Sequence, residues 1–241
     1  MSSRFHAILL FGYPGAGKGT QGDRLGSRKG FFHLATGDVF RSLDPDSEHG
    51  REFQYYAAKG LLVPDSLTMA IFRSYLYNQI AAERYQPEKE MLLLDGIPRS
   101  VEQARILQDL VEVSAVLHLK ASDLDVLADR IVKRAVESKR EDDADTEVIH
   151  RRFRVYEEQS MPVLACYDRT KIHELDALLP MDQVTDRING IVDPIRYRIF
   201  PMHWSTKVFG AWSVRPSTAV GTGKSRSGRP RASTGRPDQL A

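Results

Sequence analysis

Short apolar runs punctuate the chain at 6–11, 91–94 and 113–119, with weaker ones at 31–34 and 172–175, and stretches of helical spacing lie between them. Runs of that length read as buried strands, and their alternation with helices predicts a parallel sheet covered by helices. The run Met91-Leu92-Leu93-Leu94 is apolar at every position, as a strand buried on both faces requires. Residues 123–137 place Leu124, Leu127, Ala128, Ile131 and Ala135 at helical spacing, which predicts a helix there. A second helical pattern runs from 146 to about 167, and Pro162 within it should kink or split the helix. Some 55 residues separate the second and third strands, more than a plain crossover needs. Loops and insertions at that end of an α/β sheet hold ligands, so an inserted helical subdomain for a second substrate is predicted.

A chain of 241 residues with 41% hydrophobic content can build one sizeable α/β domain or two small ones. The single cysteine, Cys166, excludes an intramolecular disulfide and any multi-cysteine zinc site, and it reads as a small buried apolar residue in a reducing compartment. No apolar stretch reaches the roughly 18 to 20 residues that span a bilayer, so the cytoplasm is the expected location. The net charge of +2 conceals an asymmetry: from Pro194 onward there are nine Lys or Arg against one acid, Asp238. Residues 194–212 mix aromatic and basic side chains, and 213–241, rich in Gly, Ser, Thr, Pro and Arg, are expected to be a disordered basic tail. Such a tail could contact nucleic acid or an acidic membrane. With no nucleic-acid motif beside it, a stretch packed on the body followed by a solvated tail is the favoured reading.

The first apolar run breaks into Gly12-Tyr13-Pro14-Gly15-Ala16-Gly17-Lys18-Gly19-Thr20. Glycines at 12, 15 and 17 allow successive backbone N–H groups to converge on an anion, and Lys18 adds a movable positive charge. A helix from Gln21 would aim its N-terminal dipole at the same place. The spacing G-x-x-x-x-G-K is that of the phosphate-binding P-loop, with the hydroxyl displaced by one residue, so that Gly19 follows the lysine and Thr20 comes next.

Four further segments accompany this loop: Thr36-Gly37-Asp38-Val39-Phe40-Arg41, Gly60-Leu61-Leu62-Val63-Pro64-Asp65, Leu94-Asp95-Gly96-Ile97-Pro98-Arg99 with Gln103, and Arg130, Arg134, Arg140-Glu141-Asp142-Asp143 and Arg152. In their order and spacing, from about residue 6 to residue 190, these closely resemble the adenylate kinase family of nucleoside monophosphate kinases. The resemblance implies a P-loop three-layer α/β fold with a parallel five-stranded sheet. It implies an adenylate kinase-like domain over 1–193, a helical NMP-binding insertion over about 36–65 and a lid over about 134–145. Five residues separate Arg134 from Arg140, which matches the short-lid form of the family.

The implied reaction is Mg²⁺-dependent phosphoryl transfer from ATP to AMP, giving two ADP, by a monomer. Bringing two polyanions together demands cations and the exclusion of water, and arginine forks suit phosphate oxygens. By resemblance, Lys18 and the backbone of Gly15, Ala16, Gly17, Gly19 and Thr20 hold the ATP phosphates, with Arg130 and Arg134 beside them. Arg41 and Arg99 grip the AMP phosphate, Arg140 and Arg152 close on the transferring group, and Asp95 orients water on magnesium without coordinating it directly. Lys18, Arg99, Arg134, Arg140 and Arg152 form the implied catalytic set. Leu61, Leu62, Val63, Gly96, Ile97 and Pro98 line the AMP pocket. Thr36 and Gln103, whose amide offers a donor and an acceptor to a purine edge, match the AMP-selective pattern.

Taken singly, most of these arginines could equally be solvated surface residues, and Arg151 reads as one. Asp142 and Asp143 could solvate a loop, cap the next helix together with Asp145, or, by resemblance, interact with the lid. Ile97 stands where the family usually has phenylalanine, and Asp176-Ala177 replaces a usual Asp-Gly, so no donor-base residue is assigned. The alternatives are a UMP/CMP kinase on the same scaffold and, in another class, a nucleotide-binding tethering protein that works through its basic tail.

Overall fold

The computed structural model describes residues 4–138 and 145–201. Five parallel strands form one sheet: β1 (Phe5–Gly12), β2 (Phe31–Ala35), β3 (Met91–Asp95), β4 (Val111–Lys120) and β5 (Ile172–Asp176), in the order β2-β3-β1-β4-β5. This is the parallel α/β sheet expected from the apolar runs. Side chains alternate between faces along each strand. Ala7, Leu9 and Phe11 of β1 and Leu92 and Leu94 of β3 enter one core, while Ile8, Leu10, Met91 and Leu93 enter the other.

One irregularity interrupts β4. Ala7 pairs with Val113 but Ile8 pairs with Ala115, so Ser114 is an extra residue in the ladder. The bulge reverses the parity of the strand. Val111 and Val113 share a core with Val116, whereas Ala115, Leu117 and Leu119 face the opposite side.

The helices are α1 (Lys18–Gly26), α2 (Thr36–Arg41), α3 (Glu48–Ala58), α4 (Asp65–Ala81), α5 (Val101–Leu107), α6 (Leu124–Ser138), α7 (Thr146–Val155) and α8 (Met181–Ile199). Between β2 and β3 the chain forms α2, α3 and α4. Phe31 and Phe40 are buried and Phe32 is half-buried against the core, where it stacks on Tyr85.

The helical pattern from 146 does not break first at Pro162. It changes winding at Tyr156, through a π turn over Tyr156–Ser160, and then tightens into a 3-10 turn over Met161–Cys166. Pro162 sits in the first turn of that 3-10 segment, where its missing N–H costs nothing. Cys166 is half-buried at the edge of the core, not enclosed by it. The compositional change at Pro194 does not end a structural element either, because α8 runs through it to Ile199. An interior proline forgoes one helical hydrogen bond and presses on the carbonyl four residues back, here that of Gly190. Ile195, Ile199 and Phe200 continue the packing against the core. Residues 202–241 lie outside the described residues.

Candidate nucleotide cleft

The strand order reverses direction at β1, which places a crevice at the carboxyl ends of β1 and β3, where open α/β sheets bind ligands. A cleft of about 690 Å³ opens there. It is lined by Gly15, Ala16, Gly17, Lys18, Gly19 and Thr20 from the loop after β1, and by Asp95, Gly96, Ile97, Pro98 and Arg99 from the end of β3. Thr36, Arg41, Leu61, Leu62, Val63, Gln103, Arg130, Arg134 and Arg152 complete the lining, with Arg152 lying close to Gly60. Every residue singled out in the sequence as a site candidate therefore borders this one cleft, apart from Arg140, which with Asp142 and Asp143 lies outside the described residues.

The loop after β1 turns into α1 at Gly17, whose φ of 90° is left-handed, and no side chain caps the helix. The first-turn N–H groups of an α-helix have no partner within it, so an uncapped start presents donors and a positive dipole end to the cleft. The Ala16 N–H is spent within the loop, donating to the Tyr13 carbonyl. Lys18 curls back over the loop, with Nζ donating to the Gly12 and Tyr13 carbonyls at 2.9 Å each. Burial pulls its pKa down to about 8; Asp95 opposes that shift, and the Arg99 and Arg134 cations add to it.

Arg99 keeps an accessible face toward the cleft, yet protein atoms crowd it closely enough that burial lowers its pKa. Asp95 works against this, while Arg152 and Arg41 reinforce it. Lys18 thus feels Asp95, Arg99 and Arg134, and Arg99 feels Asp95, Arg152 and Arg41, within a cleft whose lining also carries the carboxylates of Asp23 and Asp38. Guanidinium groups stay charged even when crowded, so the arrangement concentrates positive charge in a concave site, which draws polyanions. Arg41 is held by Asp38 at 2.6 Å, and Arg130 donates to the Ala177 carbonyl at 2.9 Å.

The backbone of Arg99 is pinned on both sides. Its N–H donates to Gln103 Oε1 at 2.8 Å, its carbonyl accepts from Ser160 Oγ at 2.9 Å, and its side-chain Nε donates to the Gly96 carbonyl at 2.9 Å. Gln103 is 1% exposed, and its Nε2 donates to Asp65 Oδ1 at 2.8 Å. Thr36 is 3% exposed, and its hydroxyl donates to the Asp95 carbonyl at 3.0 Å, so that proton is committed within the protein. The peptide bond between Ile97 and Pro98 is cis, and both residues are buried beneath the cleft.

Several contributors escaped the sequence reading. Tyr13 lies with its ring centroid 4.2 Å from that of Tyr156 and donates its hydroxyl to Glu157 at 2.8 Å, which fastens the phosphate loop to the π turn. Burial and the Glu157 carboxylate push the Tyr13 pKa up to about 12. Arg151 is a surface residue, as read from the sequence, paired with Glu147 one turn back at 3.4 Å, and it also reaches the Lys59 carbonyl at 3.3 Å. Asp145, already a capping candidate in the sequence, does cap α7 by accepting from the Glu147 N–H. Ala177, Leu179, Met181 and Val184, from the end of β5 and the start of α8, form an apolar end of the cleft. The pattern Ser100-Val101-Glu102-Gln103 is a capping-box signature, and it was the one local signal for the hydrogen bonds around Gln103.

Among the described residues, no helix is long and apolar enough to cross a membrane, and no three His, Cys, Asp or Glu side chains are grouped to hold a metal. The family model named Adenylate kinase matches residues 10–172. The chain is 40% identical to the adenylate kinase of Kocuria rhizophila over 192 residues, 77% of this chain and 98% of that relative. It is 35% identical to the adenylate kinase of Flavobacterium johnsoniae over 193 residues, 77% of this chain and 97% of the relative. Against the adenylate kinase of Thermobifida fusca it is 36% identical over 187 residues, 75% of this chain and 94% of the relative.

Proposed function

The chain belongs to the adenylate kinase family and is a nucleoside monophosphate kinase, and from that premise we propose how its own residues carry ATP + AMP ⇌ 2 ADP. The observation that carries the reading is the gathering of Lys18, Arg41, Arg99, Arg134 and Arg152 in the lining of one cleft, with Lys18 and Arg99 both beside Asp95. Two nucleotides meeting end to end bring their phosphates among these cations. The bond between the γ-phosphorus of ATP and its bridging oxygen breaks as one forms to a phosphate oxygen of AMP.

In this assignment the N–H groups of Gly15, Gly17, Lys18, Gly19 and Thr20 and the Lys18 ammonium hold the ATP phosphates, and Lys18 exchanges its two loop carbonyls for phosphate oxygens. Arg134 and Arg152 face the transferring group from the helices on either side of the lid. Arg130 fixes the Ala177 carbonyl at the apolar end, where the ATP base would lie against Leu179, Met181 and Val184. Arg99 grips the AMP phosphate, and Arg41 joins it on release from Asp38. Leu61, Leu62 and Val63 pack against the AMP base, and Gln103 reads its edge. Crowded guanidiniums matched to the charge spread over phosphoryl oxygens lower the barrier electrostatically.

The donor set suits magnesium carried in with ATP. One half-buried carboxylate, Asp95, lies beside the phosphate loop, and this hard ion keeps most of its waters and takes phosphate oxygens. Bound there, Mg²⁺ would neutralise phosphate charge, with Asp95 accepting from its waters. The working form is a monomer in the cytoplasm, a compartment that the lone cysteine and the absence of any long apolar stretch suit.

The test is ADP formation from Mg·ATP with AMP, UMP, CMP and GMP side by side. AMP is the expected acceptor. Faster turnover of UMP or CMP would transfer the chain to the pyrimidine branch, and no turnover of any acceptor would leave binding without catalysis.

A further inference from the structure

Asp65 opens α4, in the acceptor insertion, yet both of its carboxylate oxygens are engaged with the segment that follows β3. Oδ1 accepts from Gln103 Nε2 at 2.8 Å, and Oδ2 accepts from Ser100 Oγ at 2.9 Å. Ser100 Oγ in turn accepts the Gln103 backbone N–H at 3.0 Å, and Gln103 Oε1 accepts the Arg99 N–H at 2.8 Å. A carboxylate only accepts and a backbone N–H only donates. The sense of the Gln103 amide is therefore dictated from both ends, with NH₂ toward Asp65 and oxygen toward Arg99.

We infer that Asp65 is a positioning residue that locks the Gln103 amide in the sense that reads adenine and rejects a 6-oxopurine, and that ties the identity of the acceptor base to the seat of Arg99. The inference rests on the reading that Gln103 faces the acceptor base. After its two internal bonds the amide retains one N–H and one lone pair. Adenine offers an acceptor at N1 and a donor at N6, whereas hypoxanthine and guanine offer the reverse, a donor at N1 and an acceptor at O6. Matching a 6-oxopurine would require turning the amide over. The turned amide would set its oxygen against the Asp65 carboxylate and its NH₂ against the Arg99 N–H. Two buried mismatches oppose the wrong base, and one of them withdraws the bond that holds the backbone of a phosphate-gripping arginine.

Asp65→Asn keeps the shape and removes the veto. Ser100 Oγ–H needs an acceptor, so the Asn oxygen turns toward Ser100 and its NH₂ toward Gln103, favouring the flipped amide. The measurement is kcat and KM with Mg·ATP for AMP and for IMP, with nucleotides quantified by chromatography. The ratio of kcat/KM for AMP over IMP should fall at least about tenfold in Asp65→Asn, with the kcat for IMP rising relative to that for AMP. Adding Ser100→Gly, which retains an acceptable helix cap, frees the Asn to turn its oxygen to Gln103 and should restore most of the ratio. Asp65→Ser, whose hydroxyl accepts or donates equally, tests the same veto if the Asn chain does not fold. An unchanged ratio in Asp65→Asn and Asp65→Ser overturns the inference. Gln103→Leu separates the two levels: loss of AMP preference there, with Asp65 variants unaffected, refutes only the role of Asp65. AMP preference intact in Gln103→Leu refutes the base-reading assignment and the inference with it.

Discussion

Ser160 Oγ donates to the Arg99 carbonyl over 2.9 Å, a hydrogen bond between residues 61 positions apart in sequence. Ser160 is 4% exposed and closes the π turn, so a local change of helical winding supports the backbone of the arginine proposed to grip the AMP phosphate. Ser160→Ala strands that carbonyl. The expected result is a drop of about tenfold in kcat/KM for AMP and a loss of about 1–2 kcal/mol in stability. Steady-state kinetics and thermal melting check both; unaltered AMP kinetics would show that Arg99 holds its position without this support.

Arg99→Ala should depress turnover by about 10³-fold or more, the scale at which single arginines act in phosphoryl transfer. Arg99→Lys should recover only part of it, since an ammonium lacks the planar fork that meets phosphate oxygens in pairs. Circular dichroism melts of both variants should stay close to the parent. Near-normal turnover of Arg99→Ala would remove this residue from the catalytic set.

The lowered pKa of Lys18, about 8, predicts proton uptake when nucleotide binds. Arriving phosphates favour the ammonium and raise its pKa, so the complex holds more protons than the free protein above about pH 8. Affinity for ATP should therefore weaken as pH rises through 8, while below about pH 7 Lys18 is charged in both states and contributes no uptake. Calorimetric titrations in buffers of different ionisation enthalpy measure the uptake at pH 8.5, and Lys18→Met should abolish it. Equal uptake in Lys18→Met would assign the proton elsewhere.

Gly22 of α1 faces the imidazole of His33, whose side chain is 10% exposed and whose Nδ1 lies 3.0 Å from Asp23 Oδ1. A Cβ at residue 22 would overlap that ring. Gly22→Ala should cost about 1–3 kcal/mol through overpacking. Adding His33→Ala should cost less than the two single changes summed, because the ring that clashes is gone. Denaturant unfolding of the four proteins completes the cycle, and strict additivity would mean that α1 absorbs the methyl group by another route.

The sheet was legible because β1, β3 and β4 are apolar runs whose length and flanks leave few alternatives. The phosphate loop and the Arg99 turn were legible because each packs its chemistry into a few consecutive residues. What escaped depends on partners distant in sequence. Ser114 becomes a bulge only through the register of β4 on β1, and α8 runs on through Pro194 where Ile195, Ile199 and Phe200 pack against the core. Asp65, Ser100 and Ser160 acquire their roles from hydrogen bonds across the fold, and of these only Ser100, three residues before Gln103, left a local trace. Gln103 was found for its amide, but its anchoring to Asp65 and to the Arg99 backbone required the folded chain.

The central place of β1, flanked by β3 and β4, has a consequence for biosynthesis. β1 leaves the ribosome before both of the strands that flank it and has no hydrogen-bonding neighbour in the sheet until Met91–Asp95 or Val111–Lys120 has been translated. Its greasy segment must wait in the nascent chain, the kind of exposed, unpaired edge that invites aggregation or capture by a chaperone. Lesions that slow the arrival of either neighbour should therefore lower soluble yield before they touch the activity of the molecules that do mature.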